Sequence, residues 1–167
     1  MKKKLYLLTI MAVIAAVVAV TAAGCVTDVT IDEIWDLAEN IGDNADIHIL
    51  INEGDVRLYE YETENGAVVE DYCIAPDIAP DIADKLGGSG ALTFRTEYFS
   101  DGVTTRQGDN VVYTANVIQP ANFMGISDAV DARVTIVVNR EAKTLVSTTI
   151  DYTTAAGRTV TVSATVY

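Results

Sequence analysis

From Asp46 to the end of the chain, apolar and polar side chains alternate, and turn-forming residues interrupt the pattern roughly every eight to twelve residues. Alternation with period two places one set of side chains on each face of a strand, and closely spaced turns join such strands in antiparallel order. The sequence therefore predicts an α+β, mainly β fold. Its main element is an antiparallel meander sheet of about eight or nine strands, curved or partly barrel-like, accompanied by one N-terminal amphipathic helix and one short helix.

Nine segments follow this pattern, in three groups of three. The joining sequences contain turn residues, and Asn65-Gly66 is a strong pair for a two-residue hairpin turn. The last group is rich in Val, Thr and Ile, which favour strands. The predicted strands are Asp46–Asn52, Val56–Glu62, Ala67–Ile74, Ala91–Phe99, Val103–Arg106, Val111–Ile118, Ala132–Asn139, Lys143–Tyr152 and Arg158–Tyr167.

One amphipathic helix is predicted before the sheet. Thr30 and Glu33 have the spacing of a capping box, and Val29 and Ile34 have that of a hydrophobic staple, so the helix is expected to start at Ile31. Its apolar positions recur with the 3.6-residue helical period, and Gly42 is suited to end it after about three turns. The apolar residues are Ile31, Ile34, Trp35, Ala38 and Ile41.

The first 24 residues have the pattern of a secretory signal. Three lysines, Lys2 to Lys4, precede an uncharged run from Leu5 to Ala23 that is rich in Leu, Ile, Val and Ala and ends in small residues. This order predicts a signal peptide over residues 1–24. Residues 25–167 are then expected to form a single domain outside the cytoplasm, since about 143 residues suit one hydrophobic core.

At the end of the leader, Ala22-Ala23-Gly24-Cys25 resembles the lipobox of prokaryotic lipoproteins. The resemblance covers residues 1–25 only and departs from the family pattern at Ala22, where Leu is usual. It implies a thioether-linked diacylglycerol on Cys25, which would anchor the domain to the outer face of the cell membrane or to the envelope.

Two other interpretations of the leader stay open. A run of roughly 20 apolar residues can span a bilayer, so Leu5 to Ala23 is also compatible with an uncleaved anchor. Alternatively, Ala22 and Gly24 fit an ordinary signal-peptidase site, which would release a soluble domain. All three interpretations place the domain outside the cytoplasm.

The predicted mature chain is strongly acidic. It keeps all 24 acidic residues but loses three of the 11 basic ones with the leader. This charge argues against a nucleic-acid partner, because phosphate binding requires a cationic surface. The acidity suits either cation binding or a well-solvated surface, and no acidic block is dense enough to identify a site.

Cys73 is the only other cysteine. If Cys25 carries lipid, Cys73 is unpaired in an oxidising compartment, so it is expected to be buried or joined to another chain. Its position in an alternating strand favours the role of a small core residue. A disulfide between Cys25 and Cys73, which would require the released form, is the second alternative.

The repeat "IAPDIAPDIAD", Ile74 to Asp84, contains candidate metal ligands. Asp77, Asp81 and Asp84 would lie close together if a short helix begins at Pro80, and three carboxylates offer the oxygen ligands that Ca²⁺ takes. The spacing matches no calcium loop, and aspartates near a helix N-terminus are favourable without a metal. We therefore assign no metal, and these three residues stay weak candidates.

No catalytic constellation is found. The single histidine, His48, cannot form a histidine pair for zinc and is expected in a strand, facing solvent or bonded to a neighbour. "GGSGA", Gly87 to Ala91, lacks the final glycine of a nucleophile elbow. We therefore predict neither an enzyme nor a cofactor.

Tyrosines on the predicted sheet are the weak candidates for ligand binding. Arg57, Tyr59 and Tyr61 are expected on one face, and Trp35 is expected on the helix that packs against the sheet. The function predicted is a membrane-anchored binding or interaction module for a protein or small-molecule ligand. The alternatives are a carrier of an apolar ligand or lipid in a sheet-and-helix cavity, and a cation-dependent adhesion or assembly module.

Overall fold

The computed structural model describes residues 29–41, 45–75, 95–124 and 127–167. The predicted signal peptide, Cys25, the aspartate repeat from Asp77 onward and the helix expected at Pro80 lie outside these residues. Among the described residues no helix is both long enough and apolar enough to cross a membrane.

The described residues form eight strands, two α-helices and one 3₁₀ turn. The fold class predicted from the sequence is confirmed: the protein is mainly β, with all strands in one antiparallel sheet that does not close into a barrel. The elements are α1 (Ile31–Ala38), β1 (Ile47–Glu53), β2 (Val56–Glu64), β3 (Ala67–Cys73), the 3₁₀ turn (Thr96–Tyr98), β4 (Phe99–Gln107), β5 (Asn110–Val117), α2 (Pro120–Met124), β6 (Ala129–Asn139), β7 (Thr144–Thr154) and β8 (Thr159–Val166).

The strand order is β3-β2-β1-β8-β7-β6-β5-β4. Two meanders, β1 to β3 and β4 to β8, are therefore joined by pairing of the first strand with the last. In that pairing Ile49 lies opposite Ala164, and Ile51 lies opposite Val162. The pairing places β1 and β8 inside the sheet and leaves β3 and β4 as its edges.

Helix α1 begins as predicted. Thr30 has extended backbone geometry, and its Oγ1 accepts a hydrogen bond from the Glu33 backbone N–H at 3.2 Å, as an N-cap does. Val29 and Ile34, the proposed staple residues, are both buried in the core. The helix start follows from local chemistry alone, which explains why the sequence identified it.

The end of α1 was predicted wrongly. The helix stops at Ala38 instead of continuing to Ile41. Just beyond it, the Asn40 carbonyl accepts from the Leu145 N–H at 2.7 Å, and the Asn40 side chain donates to the Lys143 carbonyl at 2.8 Å. These bonds, to Lys143 in the β6–β7 connection and to Leu145 at the start of β7, engage Asn40 outside the helix, and they join residues more than 100 positions apart.

The strand expected at Ala91–Phe99 is not found in its described part. Residues 96–98 form the 3₁₀ turn, and β4 starts only at Phe99. The "SDG" sequence, predicted to be a turn, instead forms an irregularity within β4, with Asp101 at φ 54°. The same residues that favour tight turns also favour bulges, because both need a left-handed residue.

The β2–β3 hairpin confirms the Asn65-Gly66 turn. Asn65 and Gly66 have φ values of 53° and 75°, as a two-residue hairpin turn requires. Asp46 binds both turn amides, at 2.8 Å from Asn65 N and 3.0 Å from Gly66 N. These hydrogen bonds lower the pKa of Asp46, because they favour its charged form.

The core lies on one side of the sheet, which we call the first face. Alternate residues of the strands point into it, and α1 packs over β6 and β7 while α2 packs over β6. Side chains with almost no exposed surface form its centre: Ile34, Ile51, Val111, Val134, Ile136, Val138, Ile150 and Val162. The opposite side of the sheet is called the second face.

Candidate functional site

The structure places the three aromatic candidates for ligand binding in or against the core. Trp35 is 7% exposed and Tyr59 is 9% exposed, and Tyr61 packs against the same cluster. Tyr59 and Tyr61 face the core because they pair with Ile51 and Ile49 on β1. These residues help to fill the first face and offer little surface to an external ligand.

Aromatic rings occupy the space between α1 and the β4–β5 side of the sheet. The Trp35 ring lies 5.0 Å from Tyr113 and 5.4 Å from Phe99, measured between ring centroids. Its indole N–H donates to Thr96 Oγ1 at 3.1 Å. Phe123 of α2 lies 5.3 Å from Phe99. This packing anchors both helices on the first face.

Gly102 gives Tyr113 its place in this group. A β-carbon added at Gly102 would lie 2.5 Å from the Tyr113 hydroxyl oxygen and 2.9 Å from its ring. A side chain at position 102 would therefore displace the buried tyrosine. Burial of Tyr113 also raises the pKa of its hydroxyl.

Arg57 was expected on the same face as Tyr59 and Tyr61, and this expectation is wrong. The register shifts beside Leu58, so that Tyr59 pairs with Ile51 but Arg57 pairs with Asn52. An extra residue at such an irregularity turns the side chains on its other side toward the opposite face of the sheet. Arg57 therefore lies on the second face.

Cys73 is exposed, so the expectation that it is a buried core residue is wrong. Its strand, β3, pairs with β2 and forms an edge of the sheet. Alternation along a strand indicates two faces, but it does not show whether anything covers either of them. Cys25, the possible disulfide partner, lies outside the described residues.

The candidate metal ligands Asp77, Asp81 and Asp84 also lie outside the described residues, as does the "GGSGA" sequence. Within the part of the chain that the structure describes, no group of three or more His, Cys, Asp or Glu side chains is arranged to hold a metal ion.

The second face carries described side chains with no described helix packed over them. Across β1, β8, β7, β6 and β5 they form three rows of directly paired residues, most of them half-buried. With strands about 4.8 Å apart, each row of five is roughly 19 Å long. The rows are Leu50, Ser163, Thr149, Thr135 and Thr114; His48, Thr165, Ser147, Val137 and Val112; and Asn52, Thr161, Asp151, Arg133 and Asn116.

Serine and threonine hydroxyls dominate the middle of these rows. Thr161 donates to Asp151 at 2.6 Å, and Ser163 donates to the Leu50 carbonyl at 3.4 Å. Each hydroxyl can both donate and accept, so the face has hydrogen-bonding capacity distributed over its whole width. The sequence contained this information in its alternation, but the rows could not be assembled without the strand order.

At the β1–β3 end of the second face lies a group that we call the Glu60 cluster: His48, Arg57, Glu60 and Tyr72. One Glu60 carboxylate oxygen lies 2.9 Å from His48 Nε2, and the other accepts from the Arg57 guanidinium. The Arg57 guanidinium also lies over the Tyr72 ring, 4.3 Å from its centroid. The cluster links three strands. It also confirms that His48 has a bonded neighbour in the sheet.

We predict that the Glu60 cluster makes a pH-dependent contribution to the free energy of unfolding. The hydrogen bond from His48 and the bond and charge of Arg57 hold the pKa of Glu60 below its ordinary value of 4.5. A carboxyl group with a lowered pKa adds stability above its unfolded-state pKa and loses it as the pH falls through its folded-state pKa. Glu60→Gln should therefore lower the free energy of unfolding at pH 7 by up to about 1 kcal/mol.

Urea unfolding across a pH series checks this prediction. The difference between the wild type and Glu60→Gln should narrow below pH 4.5 and vanish at lower pH, where both chains carry a neutral group. Glu64→Gln is the matched control, because Glu64 is an exposed residue of the same strand and has no ion pair among the described residues. A difference that does not change with pH would contradict the assignment.

Comparison with known proteins gives no match: no family model, no curated sequence and no solved structure is similar to this chain.

Proposed function

We propose that this chain is an extracytoplasmic binding module, anchored to the membrane through lipid on Cys25, that holds a protein partner on the second face of its sheet. One observation carries the binding part of this proposal. Both described helices pack on the first face, while no described helix covers the five strands β1, β8, β7, β6 and β5 on the second face.

The first face offers less support for the carrier alternative. Its aromatic rings contact one another, and no buried side-chain nitrogen or oxygen among the described residues lacks a hydrogen-bond partner. Ligand cavities usually combine apolar walls with a few placed polar groups that bind the ligand. The described part of the first face has the character of a filled core.

The second face has the composition of a protein-binding surface. Interfaces between separately stable proteins are about as polar as the rest of the surface and use many distributed hydrogen bonds. Short Ser and Thr side chains lose little conformational entropy when a partner covers them. The Glu60 cluster adds a region of fixed charge at one end of this face, which can orient a partner.

Site-specific photo-cross-linking tests the proposal. A benzophenone amino acid replaces Thr149, which lies on the second face between Ser163 and Thr135. In a matched variant it replaces Asp36, an exposed residue of α1. After irradiation of host cells, the Thr149 position should give a discrete protein adduct that the Asp36 position does not give.

Two results would overturn the proposal. Equal adducts at both positions would show contact without a preferred face, and no adduct at Thr149 would show that the face holds no protein partner. Native mass spectrometry of the purified chain provides a second readout, because a retained small apolar molecule would favour the carrier alternative.

A further inference from the structure

We propose that the free edge of β3 pairs with an extended, basic segment of the protein partner, which adds a ninth strand to the sheet. This inference rests on the proposed function, because it names one contact that the partner makes. It requires three properties of β3: unpaired backbone groups, uncovered side chains and a charge that selects the partner.

The backbone of β3 has groups that point away from the sheet. The Ile74 N–H donates to the Leu58 carbonyl at 2.9 Å, so Ile74 and Leu58 form a hydrogen-bonded pair. Hydrogen-bonded and non-hydrogen-bonded pairs alternate along an antiparallel ladder. Cys73, paired with Tyr59, and Asp71, paired with Tyr61, therefore belong to non-hydrogen-bonded pairs. Their backbone amides and carbonyls point toward the free edge. No described residue bonds to them there.

Apolar side chains of β3 are exposed. Val68, which pairs with Thr63, is 56% exposed, and Val69, at the register irregularity next to it, is 52% exposed. Ile74, just beyond the strand, is 54% exposed. Open strand edges with apolar side chains are the sites at which extended peptides add to sheets.

The charge around β3 favours a basic partner. Glu62 and Glu70 lie directly opposite each other, and Asp71 follows Glu70. None of these three carboxylates has an ion pair with a described residue, whereas Arg57 is bound to Glu60. Like charges on paired strands are destabilising, and lysine or arginine on an added strand would relieve that repulsion.

The same acidity argues against a second copy of this chain as the partner. Antiparallel pairing of two β3 strands would place Glu70 and Asp71 of one copy near the same residues of the other. The whole chain has a formal charge of −13, so the approach of two copies is also opposed at long range. A basic segment of a different protein fits this edge better.

A designed peptide of alternating lysine and valine is the probe, and its N-methylated analogue is the control. Both carry the same charge, but methyl groups on alternate amides prevent strand pairing. With the full chain, the unmethylated peptide should bind in fluorescence anisotropy and slow amide hydrogen exchange at Asp71 and Cys73. The methylated peptide should do neither.

Two variants separate backbone pairing from charge. Asp71→Pro removes an amide that faces the free edge and does not bond to β2, a position at which proline is tolerated in edge strands. It should weaken peptide binding about tenfold, the effect of losing one hydrogen bond of about 1.4 kcal/mol. Asp71→Asn removes the charge and keeps the amide, so it should weaken binding less and make it less dependent on salt. Unfolding midpoints establish that both variants are folded.

Binding that survives both N-methylation and Asp71→Pro would overturn the proposal, because it would show adsorption to acidic charge only. Failure of every peptide to bind would also overturn it. Protection of Asp71 and Cys73 that depends on protein concentration, without peptide, would identify a second copy as the occupant instead. If the cross-link at Thr149 forms while these tests fail, the binding module stands and only the β3 contact is wrong.

Discussion

Trp35→Ala should destabilise the domain by about 3–5 kcal/mol, the usual cost of truncating a buried tryptophan. Trp35 is almost fully buried, and its ring packs against Phe99 and Tyr113. The substitution would leave a cavity between α1 and the sheet and would also remove the hydrogen bond to Thr96. Since natural domains are stable by about 5–15 kcal/mol, the loss would be a large part of the total.

Thermal unfolding followed by circular dichroism measures this effect, because the variant loses the only tryptophan and hence its fluorescence. For a domain of this size we expect the midpoint to fall by about 2–4 °C per kcal/mol. Trp35→Phe should cost less, since it keeps a packed ring and loses the N–H donor. Asp36→Ala, at an exposed position on the same helix, should change stability by no more than about 0.5 kcal/mol. A Trp35→Ala chain as stable as Asp36→Ala would show that α1 does not hold the core together.

Cys25→Ser should abolish the membrane-bound mature form and leave a chain that is soluble or unprocessed. The thioether to diacylglycerol needs the cysteine sulfur, and a serine hydroxyl does not replace it in this linkage. Two buried acyl chains hold a protein at a membrane firmly, because each CH₂ group contributes about 0.8 kcal/mol. Loss of the lipid should therefore move the chain out of the membrane fraction.

The location, lipid and processing of the variant are measured by fractionation of host cells, lipid labelling and intact mass. Cys73→Ser is the matched control, and it should keep both the lipid and the membrane fraction. Normal lipid labelling of Cys25→Ser would refute the assignment. A membrane-bound wild-type chain of full-length mass would identify an uncleaved anchor, and a released wild-type chain without lipid would identify ordinary signal peptidase cleavage.

The features that the sequence determined by itself are those decided within a few residues. Thr30 caps α1 because its hydroxyl reaches an amide three residues later, and Asn65-Gly66 forms a turn because both residues tolerate positive φ. The alternation of inward and outward side chains in β6, β7 and β8 is likewise set by neighbouring residues along each strand. These choices follow from local sterics and hydrogen bonding, so one stretch of chain was enough to predict them.

The tertiary structure decided which strands are interior and which are edges. Pairing of β1 with β8 joins residues more than a hundred positions apart, and it leaves β3 at one edge with Cys73 exposed. The shift at Leu58 turns Arg57 away from Tyr59, and α1 ends at Ala38 with Asn40 bonded to Lys143 of the β6–β7 connection. Burial and register depend on what packs against a segment, and no local pattern contains that information. The second face and the β3 edge became visible only when the order of the strands was known.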